Sequence, residues 1–503
     1  MSASRERKQR QSDTGLTGQE NKAAARAQAA KNKKIIYTGL GVVIAVLVAA
    51  LLIWDSGVFQ NAAAKNAVAL TVGDKSYTTP YLNYFVNGYY QSYAQYGLVS
   101  SLDDQYSEEQ TWGDYFTEEA IHTLTQVSIL CDEAAKANYT LSEDDAAAID
   151  TTIKQFETSA AQSAMSYKTF LKAYYGDNMT PALHRELLEM ITLASSFESN
   201  WTEQQDVTDS DIEAYYTENA DSLDSYHYST YTISGAAEST TDAEGKTVKP
   251  TEEQTAAAMA KAKAGAEAIQ AALEAGDSVD ALVTEYETTV SEDLSNTGGY
   301  LSADYAQFLQ AVGRQPGDCL VVEGSSSYTV LVFKGREDYR QVDGYLPANV
   351  RHIFLKAEVS EGASAPTDEQ MAASKAEAEE LLAQWKAGDA TAESFAALAE
   401  ANSDDAGSNT NGGLYEGITK STSFIANFID WTFEEGRQAG DTGVIENTTS
   451  NGYHVMYLDS YGDTPVWKDS VASTLKNTAF NEWYEELEAS YTITEGDLSY
   501  VGK

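Results

Sequence analysis

Two histidines offer the first chemistry in the chain. His352 lies inside the apolar run Val350-Arg351-His352-Ile353-Phe354-Leu355, and His454 lies inside Tyr453-His454-Val455-Met456-Tyr457-Leu458. Short apolar runs bounded by turn residues read as strands. If these two strands pair, imidazoles 102 positions apart in sequence become neighbours. Between them, Phe424 and Phe428 stand at i and i+4, a spacing that puts both rings on one face of a helix, and Phe433 follows. Together they would set hydrogen-bonding groups beside an apolar surface.

Other chemistries find little support. The chain has five histidines and two cysteines, Cys131 and Cys319, with no His/Cys spacing of metal type and no disulfide framework. It carries no Gly-rich phosphate loop before a helix and no Gly-x-Ser-x-Gly elbow. We expect neither a metal nor a cofactor. The balance of 33 basic to 77 acidic residues gives a net charge of −44, which repels phosphates and argues against nucleic acid.

The elements that must position the histidines form a larger plan. A strand at each end with helices between predicts a small α+β unit whose end strands pair. Upstream, residues 1–34 hold nine basic and three acidic residues, and Ile35 to Trp54 carry no charge. Twenty helical residues span about 30 Å, the thickness of a hydrocarbon core. The positive-inside rule then puts the N-terminus in the cytoplasm and the bulk of the chain outside a lipid bilayer. An uncleaved anchor is preferred to a cleaved signal peptide, because both the leader and the apolar run are long for one. A short hairpin around Gly73-Asp74 follows, then helical patterns from Tyr81 to Tyr216. Among them Ser142 and Thr208 mark helix starts, as does Pro181 after Thr180.

An internal duplication also shows. Pro250-Thr251-Glu252-Glu253-Gln254 and Pro366-Thr367-Asp368-Glu369-Gln370 each fit a Thr-x-x-Gln capping box. Each opens an Ala-rich helix ending in Gly-Asp, and each is followed by a Gly-Gly turn, Gly298-Gly299 and Gly412-Gly413. Offsets of 112–116 residues mark a repeated domain rather than a solenoid. The first copy has Thr230 and Thr329 where the second has His352 and His454, with His227 out of register.

Taken together, residues 346–462 resemble a parvulin-type (PpiC) peptidyl-prolyl cis-trans isomerase domain, and the chain as a whole resembles membrane-anchored foldases of the SurA/PrsA kind. The resemblance implies a helical SurA-N-like chaperone domain over 66–222, completed by a returning helix within 464–490. It implies a degenerate parvulin-like domain over 225–340 and an isomerase domain over 346–462. Ser403-Asp404-Asp405 matches the family's Ser-Asp-Cys/Asp motif and places Asp405 in the site with His352 and His454. Substrate contacts fall to Tyr415, Phe424, Phe428, Phe433 and Asn451; Tyr415 and Phe424 stand where the family has Leu and Met. No cysteine near residue 54 offers the lipid anchor common among PrsA-like proteins. The implied partners are unfolded secreted polypeptides with X-Pro bonds. A holdase that uses parvulin-like folds only as binding modules is the alternative. The loop Lys356–Asp368 has one lysine against Glu358, Glu361 and Asp368, so no phosphate clamp is expected.

Overall fold

The computed structural model describes residues 66–241 and 245–502. The basic tail 1–34 and the apolar segment 35–54 lie outside the described residues. Among those described, no helix is long and apolar enough to cross a membrane. The chain divides into two compact units. Of the described residues, one unit takes in those up to Val207, Ala348–Ser460 and those from Ser473 onward; the other takes in those of Thr208–Pro347 and Tyr461–Ala472.

The first unit begins with the expected hairpin, Val68–Val72 against Lys75–Thr78. Helices follow at Thr79–Ala94, Trp112–Lys136, Glu143–Gln162, Tyr167–Tyr175 and Pro181–Glu203. Their starts are chemically marked. Ser142 caps Glu143–Gln162 in a reciprocal box with Asp145, and the Thr180 side chain caps the helix that Pro181 opens. Phe116, Leu124, Phe156 and Leu187 are at most 1% exposed and form the core. The late helix Val466–Glu488 contributes Phe480 and Tyr484 to that core, and Trp483 stacks on Trp201 at 4.9 Å. A third strand, Ile493–Glu495, pairs with Val68–Val72. It was not legible in the sequence.

In the second unit, a four-stranded antiparallel sheet runs in the order Thr289–Thr297, Ser225–Ser234, Ser327–Glu337, Cys319–Glu323. The helix Glu252–Ala275, opened by the Thr251/Gln254 capping box, lays Ala262, Ala266 and Ile269 against Ile233, Val330 and Val332. The helix Asp209–Leu223, which the sequence reading put at the end of the helical domain, belongs to this unit. Tyr216 on it donates to Asp224 (2.9 Å), and Arg340 reaches Glu213 (3.3 Å).

Within the first unit, residues 348–460 repeat the same sheet. The order is Leu414–Ile418, Ala348–Lys356, Gly452–Tyr461, Thr442–Asn447, so the two strands that carry histidines are central and adjacent. Asp368–Ala387, capped by Thr367 and Gln370, and Ala392–Asn402 cover one face. The chain is therefore a mixed helix-and-sheet protein, as expected.

Candidate active site

Alternation along the two central strands decides which side chains meet. Ile353 and Leu355 point to the helix-covered face, where they join Val455, Tyr457, Trp385 and Phe395. Residues between them face the other way. His352, Phe354 and His454 therefore share the opposite face, and all three are buried. His352 Nδ1 lies 2.9 Å from His454 Nδ1.

The Gly-Gly turn holds His352 from its other edge. The His352 N–H donates to the Gly413 carbonyl at 2.9 Å. Gly413 sits at φ +72, and a Cβ there would meet the His352 carbonyl oxygen at 2.2 Å. Gly413→Ala should cost at least about 2 kcal/mol, since both the backbone angle and the close approach forbid it. The check is the urea midpoint of the isomerase region, and an unchanged midpoint would refute the tight approach.

A directed line of hydrogen bonds crosses the site. Asn447 Oδ1 accepts from the N–H groups of Thr449 (3.1 Å) and Ser450 (2.8 Å). That orients its amide so that Nδ2 donates to His454 Nε2 at 2.9 Å. A neutral imidazole accepting at Nε2 carries its proton on Nδ1. His454 thus donates to His352 Nδ1, and His352 donates from Nε2 to Asp405 Oδ2 at 3.0 Å. The tautomers are assigned from this network. Burial pushes the His454 pKa down to about 3, in keeping with a neutral ring.

Asp405 ends the line as a carboxylate with several donors. Ser408 Oγ–H reaches Oδ2 at 2.5 Å, the Tyr415 hydroxyl at 3.0 Å, and the Gly407 N–H reaches Oδ1 at 3.1 Å. Burial alone would raise the Asp405 pKa. The hydrogen bonds from His352, Ser408 and Gly407 outweigh it and hold the group well below the usual carboxylate range. Burial and the Asp405 charge push the Tyr415 phenol above its ordinary range.

Aromatic rings close the site. Phe428, 2% exposed, makes T-shaped contacts with His352 (5.7 Å) and His454 (5.8 Å). Phe424 lies 4.7 Å from Phe428 and 5.0 Å from Tyr415, which stacks on His352 at 5.4 Å. One expectation needs correction. Phe424 and Phe428 do not share a helix: the helix is Ala426–Thr432, and Phe424 approaches from the turn before it, its N–H bonded to Thr422 O (2.7 Å). Asn451 occupies a left-handed turn position at φ +52, and its carbonyl accepts from Ala357 N–H at 2.9 Å. The amide that meets His454 belongs to Asn447. Phe433 follows the helix directly, half-buried, with its N–H on Ile429 O. The sequence reading also missed Ser408 and Phe354. Their signals were faint: a serine three residues after Asp405, and a strand residue two after His352.

The first copy lacks this line. Thr329 Oγ1 meets Thr232 Oγ1 at 3.0 Å, and Thr230 lies opposite Leu331. His227 faces Glu337 at 3.2 Å, 41% exposed. Tyr228, Phe308 and Phe333 are buried in that copy's second small core.

Residues 352–460 match the rotamase family described as the PPIC-type PPIASE domain. The chain therefore contains a parvulin-type peptidyl-prolyl isomerase domain. No curated protein matches the chain. Among solved structures, it is similar to PrsA of Bacillus subtilis at 13% identity, over 78% of this chain and 93% of that one, with a TM-score of 0.30. It is similar to the peptidylprolyl isomerase PrsA of Bacillus anthracis at 17% identity, over 30% of this chain and only 61% of that one, with a TM-score of 0.19. A SurA-like chaperone of Campylobacter jejuni is similar at 8% identity, over 86% and 99% of the two chains, with a TM-score of 0.23.

Proposed function

We propose that the chain is a peptidyl-prolyl cis-trans isomerase and foldase acting on X-Pro bonds of unfolded, secreted polypeptides. In this reading residues 35–54 tether it to a bilayer, with 1–34 in the cytoplasm and the folded units outside. The observation that supports it most is the directed line from Asn447 through His454 and His352 to Asp405, walled by Tyr415, Phe424 and Phe428.

The barrier to rotation about the peptide bond is about 18–20 kcal/mol and comes from amide resonance. Resonance puts negative charge on the carbonyl oxygen and positive charge on nitrogen; the twisted state loses both. An ionised Asp405 near that oxygen disfavours the planar amide more than the twisted one. Phe424, Phe428 and Phe433 grip the proline ring and keep water from the carbonyl, where it would stabilise the planar form. His352 and His454 keep Asp405 ionised and aimed, with no proton moved and no covalent bond made.

The test is catalysed isomerisation of a proline peptide by the full chain. The expected outcome is activity far above that of a His352→Ala, Asp405→Ala double variant, and equal rates for the two would sink the reading. A phosphoserine before the proline should give no gain, because the Lys356–Asp368 loop is acidic; a large gain would show a clamp elsewhere. The holdase reading is favoured for Ser225–Glu337, which keeps the sheet without the imidazole pair. There, the double variant should still suppress client aggregation.

A further inference from the structure

A cavity lies in the helical part of the first unit, among residues that the isomerase reading does not use. A cavity of about 730 Å³ opens between the helix Trp112–Lys136 and the C-terminal segment after Glu488. That volume is in the range of ligand pockets rather than packing voids. Five carboxylates line it: Asp103, Asp114, Glu118, Glu488 and Glu495. No lysine or arginine is among its lining residues. Ile121, Ile493 and Leu498 give the lining an apolar part.

Two observations beyond the acidity point to an occupant. Thr125, which lines the cavity, is 2% exposed, and its Oγ1 has no hydrogen-bond partner. A buried hydroxyl without a partner costs free energy that an incoming polar group would relieve. The cavity also runs along a free sheet edge. Ile493–Glu495 is the outermost strand of its three-stranded sheet, and Ile493 and Glu495 are among the residues that line the cavity. Ile493 is 38% exposed. An edge strand offers unpaired backbone groups to an extended chain, and alternate side chains set its preference.

We propose that this cavity captures extended polypeptide segments bearing arginine or lysine, with the segment laid along the Ile493–Glu495 edge and its basic side chains between the carboxylate walls. A guanidinium suits the walls best, because its planar fork pairs with carboxylates in two-point fashion. A metal ion suits them poorly. Among the described residues, no three His, Cys, Asp or Glu side chains gather closely enough to hold one. The apolar part of the lining takes the aliphatic stems of the basic residues or apolar neighbours. The site would thus select clients by charge, independently of proline.

The test is anisotropy of a labelled, proline-free extended peptide carrying two arginines, titrated with the full chain. The same peptide with glutamine in place of arginine is expected to bind at least about tenfold more weakly. Glu118→Gln with Glu495→Gln should weaken the arginine peptide by a similar factor and leave isomerase activity unchanged. Thr125→Val should weaken it too, and melting curves of each variant verify the fold. Glu252→Gln with Glu253→Gln removes the same charge elsewhere and should change nothing. Equal binding of the two peptides, an effect of the Glu252/Glu253 control as large as that of the site variant, or loss of binding in His352→Ala would each overturn the proposal. Failure here leaves the isomerase reading standing, because the two are read by different peptides.

Discussion

Asp405→Asn is expected to lower kcat/KM for a proline peptide by about a hundredfold, the usual scale for losing one preorganised electrostatic group. The side chain keeps its size, so the aromatic walls need not move. Its charge is gone, and with it the repulsion that disfavours the planar carbonyl. The hydrogen-bond line also fails at its end. Asp405 now accepts from His352, Ser408, Tyr415 and Gly407. An amide has one oxygen and an NH2 that must face one of those donors. The loss should fall on kcat, with KM nearly unchanged, because in the proposed reading Phe424 and Phe428 still hold the substrate. A fall of less than about threefold, in a variant whose melting curve shows it folded, would mean that the pocket alone catalyses and that Asp405 is structural.

The residues of that line show where sequence reasoning succeeds and where it stops. His352 and His454 were legible because each interrupts an apolar strand, and period-2 alternation then fixes the face. The capping boxes at Thr251 and Thr367 were legible because they are local chemistry, complete within four residues. Asn447 was not. It stands at the end of Thr442–Asn447 opposite Gly452, and only the register of that hairpin brings it to His454. Asn451, expected only as a substrate contact, holds the turn through its carbonyl. Phe424 and Phe428 were rightly put together but for the wrong reason, since a turn rather than a helix brings Phe424 in. The strand Ile493–Glu495 had no hydrophobic alternation to announce it. Its partner is more than 400 positions away, and nothing local encodes that pairing.

Comparison of the two sheets carries the argument further. Both have the same strand order and a capped helix on one face. In one, the opposite face is a hydrogen-bonded line that needs two neutral imidazoles. In the other it holds two threonine hydroxyls at 3.0 Å beside buried Tyr228 and Phe308. The fold is therefore compatible with either filling, and on the proposed reading catalysis is a property of the residues placed on that face.

Acid should destabilise the first unit well before its carboxylates neutralise. Burial holds two of its buried histidines, His184 and His454, below their ordinary pKa. His184 is 0% exposed, has no partner on Nε2 and lies among Tyr84, Phe156, Tyr167 and Tyr175; burial pushes its pKa down to about 4. His454 is pushed down to about 3 by burial first. Both pKa values are lower folded than unfolded, so the unfolded chain binds protons first as pH falls through about 6.5. Stability is complete above that value and declines until pH reaches the folded values. At pH 4.5 each histidine should have cost about 2–3 kcal/mol. Below pH 4 the loss continues, because the lowered Asp405 pKa adds a contribution that exists only while that carboxylate is ionised. General charge repulsion predicts the opposite sign. A chain of net charge −44 gains stability as acid relieves it. Urea titrations between pH 7.5 and 4.5 decide between them. A midpoint that falls, and falls less in His184→Gln, supports the buried imidazoles; a flat or rising midpoint would show that global charge governs.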